Sequence, residues 1–416
     1  MEWIESLQPD KKVYIETFGC TANIADSMKI RAIVEKIGCK IVKNEKDADF
    51  FIINTCIVTE RTELNVIKRL KYIRGLCSGD IIVAGCMPAA MPERVREVLG
   101  DNAIMIEPRL LRDVYEIAFD GVIGIVPISQ GCVGNCRYCI VKRARGEIHS
   151  YDPERICGTV ERMVRDGAKE IRITAQDCSA YGWDGLEERL HGLLRKLSSI
   201  KGDFRIRVGM MNPFTMIHDL DDIIDSFESE KIFKFFHIPV QSGSDKVLRD
   251  MNRRYKVRDF IHIVDFIRSR FEYCTISTDF IIGYPTETER DFESSVDLLR
   301  RIRAEKVNIT RFSPRPGTEA ACMNDLLERE KKRRSRMFSD LYHKIAYEQN
   351  KALEGRILEA LVTEPGRKGG MIARDPAYRT VVLRDDIPLG SFCDVRVKEA
   401  KSTYLIGEVV ASASEQ

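Results

Sequence analysis

Short apolar strands alternate with helical stretches twice along this chain, and that alternation leaves few folds open. Between residues 13 and 118, "VYIETFGC", "DFFIINTC", "DIIVAGC" and "AIMIE" read as strands rich in Val and Ile. Helices are expected from about Ala25 to Lys36 and across "ERTELNVIKRLKYIRG". Continuous apolar strands of this kind belong to a parallel sheet covered on both faces. A second series starts near Gly121, with strands "IGIVPISQ", "EIRITAQD", "FRIRVGMM", "FKFFHIPVQ", "CTISTDFIIG" and "KVNITRF". Helices are expected between them at 154–167, 185–197, 257–270 and 288–302. Six β/α units suit a partial barrel that stays open on one side.

The pattern then changes. Residues 325–354 read as one long helix, and 355–410 as about five short strands of a small OB-like β-barrel. The expected fold class is therefore α/β with three parts: an open parallel sheet domain (1–120), a partial (β/α)6 barrel with a terminal helix (121–354) and a β-barrel (355–416). With 44% hydrophobic and 31% charged residues, the chain is globular. A net charge of +2 does not by itself demand a nucleic acid, so that role needs local basic patches. No secretory signal or apolar run of membrane-spanning length appears, so a cytoplasmic protein without a membrane tail is expected.

The stretch "SQGCVGNCRYCIVKRARG" follows the first strand of the second series. It holds Cys132, Cys136 and Cys139 and no close fourth cysteine. Three thiolates can hold three irons of a cubane and leave the fourth open to a substrate. Two other readings are inert buried thiols, and zinc with His149 as fourth ligand. Its place at a strand's C-terminal end favours the first, since β/α barrels build their sites there. Cys20, Cys56 and Cys86 each close a strand of the first sheet, at the edge where open α/β sheets bind ligands. They are either small buried residues or three more converging thiolates. The remaining cysteines (39, 77, 157, 178, 274, 322, 393) match no motif and read as bystanders.

The cluster loop resembles the signature of radical S-adenosylmethionine (SAM) enzymes. With "TFGC", "NTC" and "AGC" before it and a β-barrel after it, nearly the whole chain resembles the radical-SAM methylthiotransferases. The resemblance implies two 4Fe–4S clusters. One, on Cys132, Cys136 and Cys139, binds SAM and generates a 5′-deoxyadenosyl radical. The other, on Cys20, Cys56 and Cys86, carries the sulfur to be inserted, and a second SAM supplies the methyl group. Segments after the barrel strands would line the SAM pocket: Gln176, Asp177 and Tyr181, then Gln241 and Ser242, then Gly283. Taken singly, Gln176 or Asp177 could serve only to cap a turn, and Gly283 only to allow one.

The terminal barrel resembles the TRAM module, which implies RNA binding. Arg367, Lys368, Arg374, Tyr378 and Arg379 would form its RNA-contacting face. The run "REKKRRSR" (329–336) is either a phosphate-contacting surface or a solvated helix face. Arg143 and Arg145 beside the cluster loop would bind phosphate or substrate carboxylate, or else stabilise an anionic cluster or form salt bridges. Three branches of the family act on isopentenyl-adenosine in tRNA, on a ribosomal-protein aspartate, or on N6-threonylcarbamoyladenosine in tRNA. "SQGCVGNCRYCIVKRARG", "ETFGCTANIADS" and "FSPRPGT" are most similar to the last, in its archaeal and eukaryotic form. Val133 stands where the other branches usually carry asparagine. The implied partners are the tRNA anticodon stem-loop and an electron-donor protein, with the enzyme a monomer. A non-catalytic iron–sulfur RNA-binding protein is the rival reading.

Overall fold

The computed structural model describes residues 2–76 and 80–410. Cys77 and the polar terminal "ASASEQ" fall outside these residues.

The first sheet contains β1 (Lys12–Thr17), β2 (Lys40–Val42), β3 (Phe50–Thr55), β4 (Ile81–Gly85) and β5 (Ile104–Ile106). Their order is β2-β1-β3-β4-β5, all parallel. Successive residues of a strand face opposite sides, and both sides are covered. Ile52 and Ile82 pack with Ile30 and Val34 of helix α1 (Thr21–Ile37). Phe51, Ile53 and Val83 pack with Val66, Leu70 and Ile73 of helix α2 (Glu60–Leu76). The strand β2 was not expected from sequence. Its three residues are too few to display a period, and it forms only by pairing with β1 after α1 stops at Gly38.

Six parallel strands form the second unit: β6 (Ile123–Pro127), β7 (Glu170–Thr174), β8 (Arg205–Val208), β9 (Phe235–His237), β10 (Thr275–Ile282) and β11 (Lys306–Arg311). Two three-stranded sheets, β8-β7-β6 and β9-β10-β11, are joined by bridges Ile206–Ile232 and Met210–His237. Spatial order therefore follows chain order. Among the described residues β6 and β11 do not pair, which leaves the barrel open as expected. Outer helices α3 (Pro153–Arg165), α4 (Leu190–Ser199), α5 (Val257–Arg270) and α6 (Glu289–Ile302) occur where the sequence predicts them. Asp152 caps α3 by accepting from the Arg155 N–H, and Thr288 with Asp291 forms a capping box on α6.

The long helix α7 covers Glu328–Lys351, shorter than the expected 325–354. Its basic run is split by the helical period. Lys331 and Arg334 turn inward and are buried, with Arg334 on Glu287 at 2.9 Å and Lys331 on Asp325 at 2.8 Å. Arg333 lies against Glu289 and Glu330. Carboxylates thus claim half of the run's six cations, and it is not a free phosphate-contacting face. The last five strands close a barrel, as expected: β12 (Ile357–Pro365), β13 (Met371–Arg374), β14 (Thr380–Leu383), β15 (Phe392–Ala400) and β16 (Leu405–Val409).

This β-barrel docks on the floor of the open barrel, at the N-terminal ends of its strands. The Lys234 N–H donates to the Pro376 carbonyl at 2.8 Å, Arg205 reaches Glu359 at 2.7 Å and Arg172 reaches Glu364 at 2.9 Å. This overturns part of the expected RNA face. Tyr378 packs its ring on Phe233 and Phe235 (centroids at 4.9 and 5.2 Å) and donates its hydroxyl to Glu170. Arg374 lies over Tyr378, and Arg379 over Tyr273. Aromatic and Arg side chains serve a buried protein interface as well as a stacked base, and the sequence does not separate the two. Only Arg367 and Lys368 of that set stand exposed, at the tip of the turn before β13.

Candidate active site

The cluster loop runs from the C-terminal end of β6 and is pinned on every side. The Gly131 N–H donates to Gln176 Oε1 at 2.7 Å, and the Cys132 N–H to the Gly146 carbonyl at 3.2 Å. The Arg137 N–H donates to the Met251 carbonyl, and Asn252 Nδ2 to the Asn135 carbonyl at 2.7 Å. Arg253 is the main support. Its Nη1 lies 3.3 Å from Cys136 Sγ, while Nη2 donates to Asn212 Oδ1 and the Pro239 carbonyl, both at 3.2 Å. Asn212 is held in turn by Asp177, whose oxygens also accept from Ser179 and Thr215.

The loop keeps any side chain at position 134 away from its sulfurs. A Cβ placed on Gly134 would sit 3.3 Å from Cys132 Sγ and 3.8 Å from Cys136 Sγ, so the bare glycine keeps that space clear. Burial, then the Asp177 carboxylate, pushes the Cys132 thiol up to about 12. Burial and Cys136 raise the Cys139 thiol. Thiols of this kind give up their protons to a bound cation rather than to water. Three such donors without a fourth fit a 4Fe–4S cluster with one open iron. His149 instead pairs its strand with Gln130 and sets its ring edge-on to Tyr151. Among the described residues no three His, Cys, Asp or Glu side chains are placed to close on a single ion.

The second group forms where three strand ends of the first sheet meet. Cys20 stands at the start of α1, Cys56 just past β3 and Cys86 just past β4. Asn23 gathers two of them: its Oδ1 lies 3.4 Å from Cys20 Sγ and 4.0 Å from Cys86 Sγ. Its Nδ2 donates to Asn54 Oδ1 at 3.1 Å and to the Thr55 carbonyl at 2.8 Å, which fixes its orientation. Burial pushes the Cys86 thiol up to about 12 and raises that of Cys56, and in both cases the positive charge of Arg145 opposes the shift.

Arg145 corrects one expectation. It is 3% exposed and does not face RNA. From the helix that follows the cluster loop, its Nη2 donates to Asp26 at 2.7 Å and to Asn23 Oδ1 at 3.3 Å. It is the buried cation of the second cysteine group, delivered by the chain segment that carries the first. Ile140 and Ala144 of the same segment pack with Cys86, Met87 and Ala90. Arg145→Met should cost about 3–5 kcal/mol in a denaturant titration, because it leaves Asp26 buried and unpaired. Arg145→Lys should recover only part of this, since an ammonium cannot reproduce the fork to Asp26 and Asn23.

Beside Cys139 lies a cavity of about 320 Å³. Val58 and Thr59 line it from the first sheet, Tyr138 and Cys139 from the cluster loop, Gln241 and Asp279 from the barrel. Glu63 and Arg315, 5% and 3% exposed, form an ion pair that clamps the two units beside it. Of the expected SAM contacts, Gln241 lines this cavity, with Ser242 directly behind it. Gln176 and Asp177 position the cluster loop. Tyr181 lies in the core with its hydroxyl donating to the Tyr151 carbonyl at 2.7 Å. Gly283 makes room for Lys331, whose Cγ would stand 2.4 Å from a Cβ there. These last two belong to packing rather than to the cavity. Arg143 is exposed, and its Nη1 donates to the Pro316 carbonyl at 3.2 Å. Arg253 and Asn212 carry no sequence motif, and Asn23 and Asp26 lie within "ETFGCTANIADS" with nothing to mark their roles. Only proximity in the fold reveals them.

Comparison with known proteins agrees with this arrangement. Residues 12–107 match the uncharacterized protein family UPF0004, 126–299 the radical SAM superfamily and 351–410 the TRAM domain. A probable threonylcarbamoyladenosine tRNA methylthiotransferase of Archaeoglobus fulgidus is 40% identical over 96% of this chain and 99% of its own length. The threonylcarbamoyladenosine tRNA methylthiotransferase of Drosophila melanogaster is 32% identical over 98% of this chain and 79% of its own. Among solved structures, the radical SAM methyltransferase TsrM of Kitasatospora setae shares the fold, with TM-score 0.56 at 12% identity over 75% of this chain and 77% of that one. The cobalamin-dependent radical SAM enzyme OxsB aligns with TM-score 0.54 at 12% identity, covering 82% of this chain and 56% of that one. The end-to-end likeness to the archaeal and insect proteins, carried by the same order of three units, means that the chain belongs to the threonylcarbamoyladenosine tRNA methylthiotransferase family.

Proposed function

We propose that this enzyme replaces the C2 hydrogen of N6-threonylcarbamoyladenosine, next to the tRNA anticodon, with a methylthio group. The observation that carries this reading is the single segment 139–145, which holds Cys139 of one three-cysteine group at the wall of a cavity and delivers Arg145 to the other group. Cys132, Cys136 and Cys139 would hold the SAM-binding cluster, and Cys20, Cys56 and Cys86 the sulfur-bearing one. When bound, the first supplies an electron for SAM cleavage and the second supplies sulfur. The chain's own residues do the rest. Arg253 places positive charge against the first set of thiolates, and Arg145 does so for the second. Gln176 and Asp177 hold the loop in register, and Gln241 presents an amide to the cavity. Apolar Val58, Tyr138 and Phe312 exclude water from a radical that would otherwise be quenched.

The three parts 1–120, 121–354 and 355–416 then have separate tasks: sulfur delivery, radical formation and grip on the tRNA. Exposed Arg143, Arg367 and Lys368 are suited to backbone phosphates of an anticodon stem-loop. Nucleoside mass spectrometry of tRNA from a host lacking this modification tests the substrate. Expressing the chain should convert threonylcarbamoyladenosine to its methylthio derivative. Methylthio on isopentenyl-adenosine, or on a ribosomal aspartate instead, overturns it.

A further inference from the structure

The floor of the open barrel, where the terminal β-barrel docks, carries positive charge that the protein does not neutralise. Arg172 of β7 is matched by Glu170 at 2.6 Å and Glu364 at 2.9 Å. Three other cations have no such match: Arg207 of β8, Lys306 of β11 and Arg379. Among the described residues none of the three has a carboxylate within ion-pair distance. Lys306 and Arg207 both lie over the ring of Phe235, at 5.8 and 5.1 Å. Arg374 and Arg207 share the ring of Tyr378, at 5.0 and 5.8 Å. The Nε atoms of Arg207, Arg374 and Arg379 are buried without a hydrogen-bond acceptor.

The nearby carboxylates are engaged elsewhere. Glu170 accepts from Tyr378 and Arg172, and Asp375 from Tyr273 and the Arg379 N–H. Asp279 accepts from His237 and Asn308. Burial, with Arg207 and Arg374 close by, pulls the Lys306 ammonium below its ordinary value, which shows how closely the cations crowd. Crowded cations, three of them half-buried and Lys306 exposed, repel one another unless an anion lies among them.

A cavity of about 260 Å³ opens at this point. Lys306, Arg379, Asn308, Thr380 and Thr403 line it, so ammonium, guanidinium, amide and hydroxyl donors converge on one space; the Glu305 carboxylate also lines it, already held by Arg268 at 3.1 Å, Gln349 and the Ile276 N–H. We propose that this junction binds a phosphate-type oxyanion, with Lys306 and Arg379 as its direct partners and Arg207 and Arg374 adding positive charge behind Phe235 and Tyr378. An occupant here touches both units, so it fastens the terminal β-barrel to the catalytic one. The oxyanion is either a backbone phosphate of bound tRNA or free inorganic phosphate. The site is separate from both cysteine groups and does not depend on their contents.

The test uses the full-length protein with inorganic phosphate as the probe, in thermal unfolding and titration calorimetry, against chloride at matched ionic strength. Phosphate should raise the unfolding midpoint saturably. Lys306→Gln and Arg379→Gln should each weaken its binding about tenfold, the scale of one lost charge-assisted contact. Using two variants guards against one that misfolds. No saturable shift, or equal phosphate affinity in wild type and both variants, overturns the proposal. Binding of a tRNA transcript then identifies the source. If phosphate competes with tRNA and Lys306→Gln weakens both, the site takes the RNA backbone. If tRNA affinity is unchanged while phosphate binding falls, the occupant is the free anion.

Discussion

Cys136→Ala should abolish formation of 5′-deoxyadenosine from SAM. Cys136 shares the Gly134 cradle with Cys132 and is the sulfur that Arg253 faces. With it removed, two thiolates remain for a cluster that already lacks one protein ligand, and Arg253 Nη1 loses its sulfur partner while Nη2 keeps Asn212 and Pro239. Loss of an outer partner of a metal site typically costs about 10–100-fold, so loss of a direct ligand here should exceed about a hundredfold. Iron per anaerobically reconstituted chain should fall from about eight to about four, since Cys20, Cys56 and Cys86 are untouched. 5′-Deoxyadenosine at the wild-type rate from this variant would sink the assignment of the loop.

Cys56→Ala should give a different outcome. Iron should again fall to about four per chain. Cleavage of SAM should continue, because the loop 131–139 is held by Gln176, Asn252 and Arg253, none of which touches the first sheet. Methylthio-tRNA should be absent. Cys56 lies just past β3, among the buried neighbours of Asn54 and Thr55 that orient Asn23, so the site keeps its frame while losing a ligand. If this variant still makes methylthio-tRNA, the sulfur-bearing role of the second group is wrong. The two variants together separate radical formation from sulfur insertion, and neither outcome follows from simple unfolding.

Much of the architecture was legible in the residues. Strand–helix alternation is a local signal, because burial of both sheet faces writes Val and Ile runs directly into the chain. All six barrel strands and all five terminal strands were visible this way. The triplet at 132, 136 and 139 was legible for the same reason: its cysteines are neighbours in sequence. The second triplet was readable only through strand ends. The RNA-face expectation failed at Arg374, Tyr378 and Arg379 because an aromatic flanked by arginines looks the same whether it faces a base or another domain. Tyr181 and Gly283 failed likewise. A hydroxyl or a glycine near a strand end does not reveal whether it points into a cavity or into the core.

By itself, the sequence determined the three units and their order, since strand and helix patterning is local; it also singled out six cysteines, three by their spacing and three by their places at strand ends. Only the tertiary structure decided what lies between them. Arg145 was read as a basic residue beside the first cysteine group and proves to be the buried counter-charge of the second, 119 residues from Asp26. Arg253 meets Cys136 across 117 residues. Local patterning encodes which face of a helix or strand is buried. It does not encode which distant charge is buried beside it, and the cost of burying a charge unpaired makes that pairing a property of the folded chain.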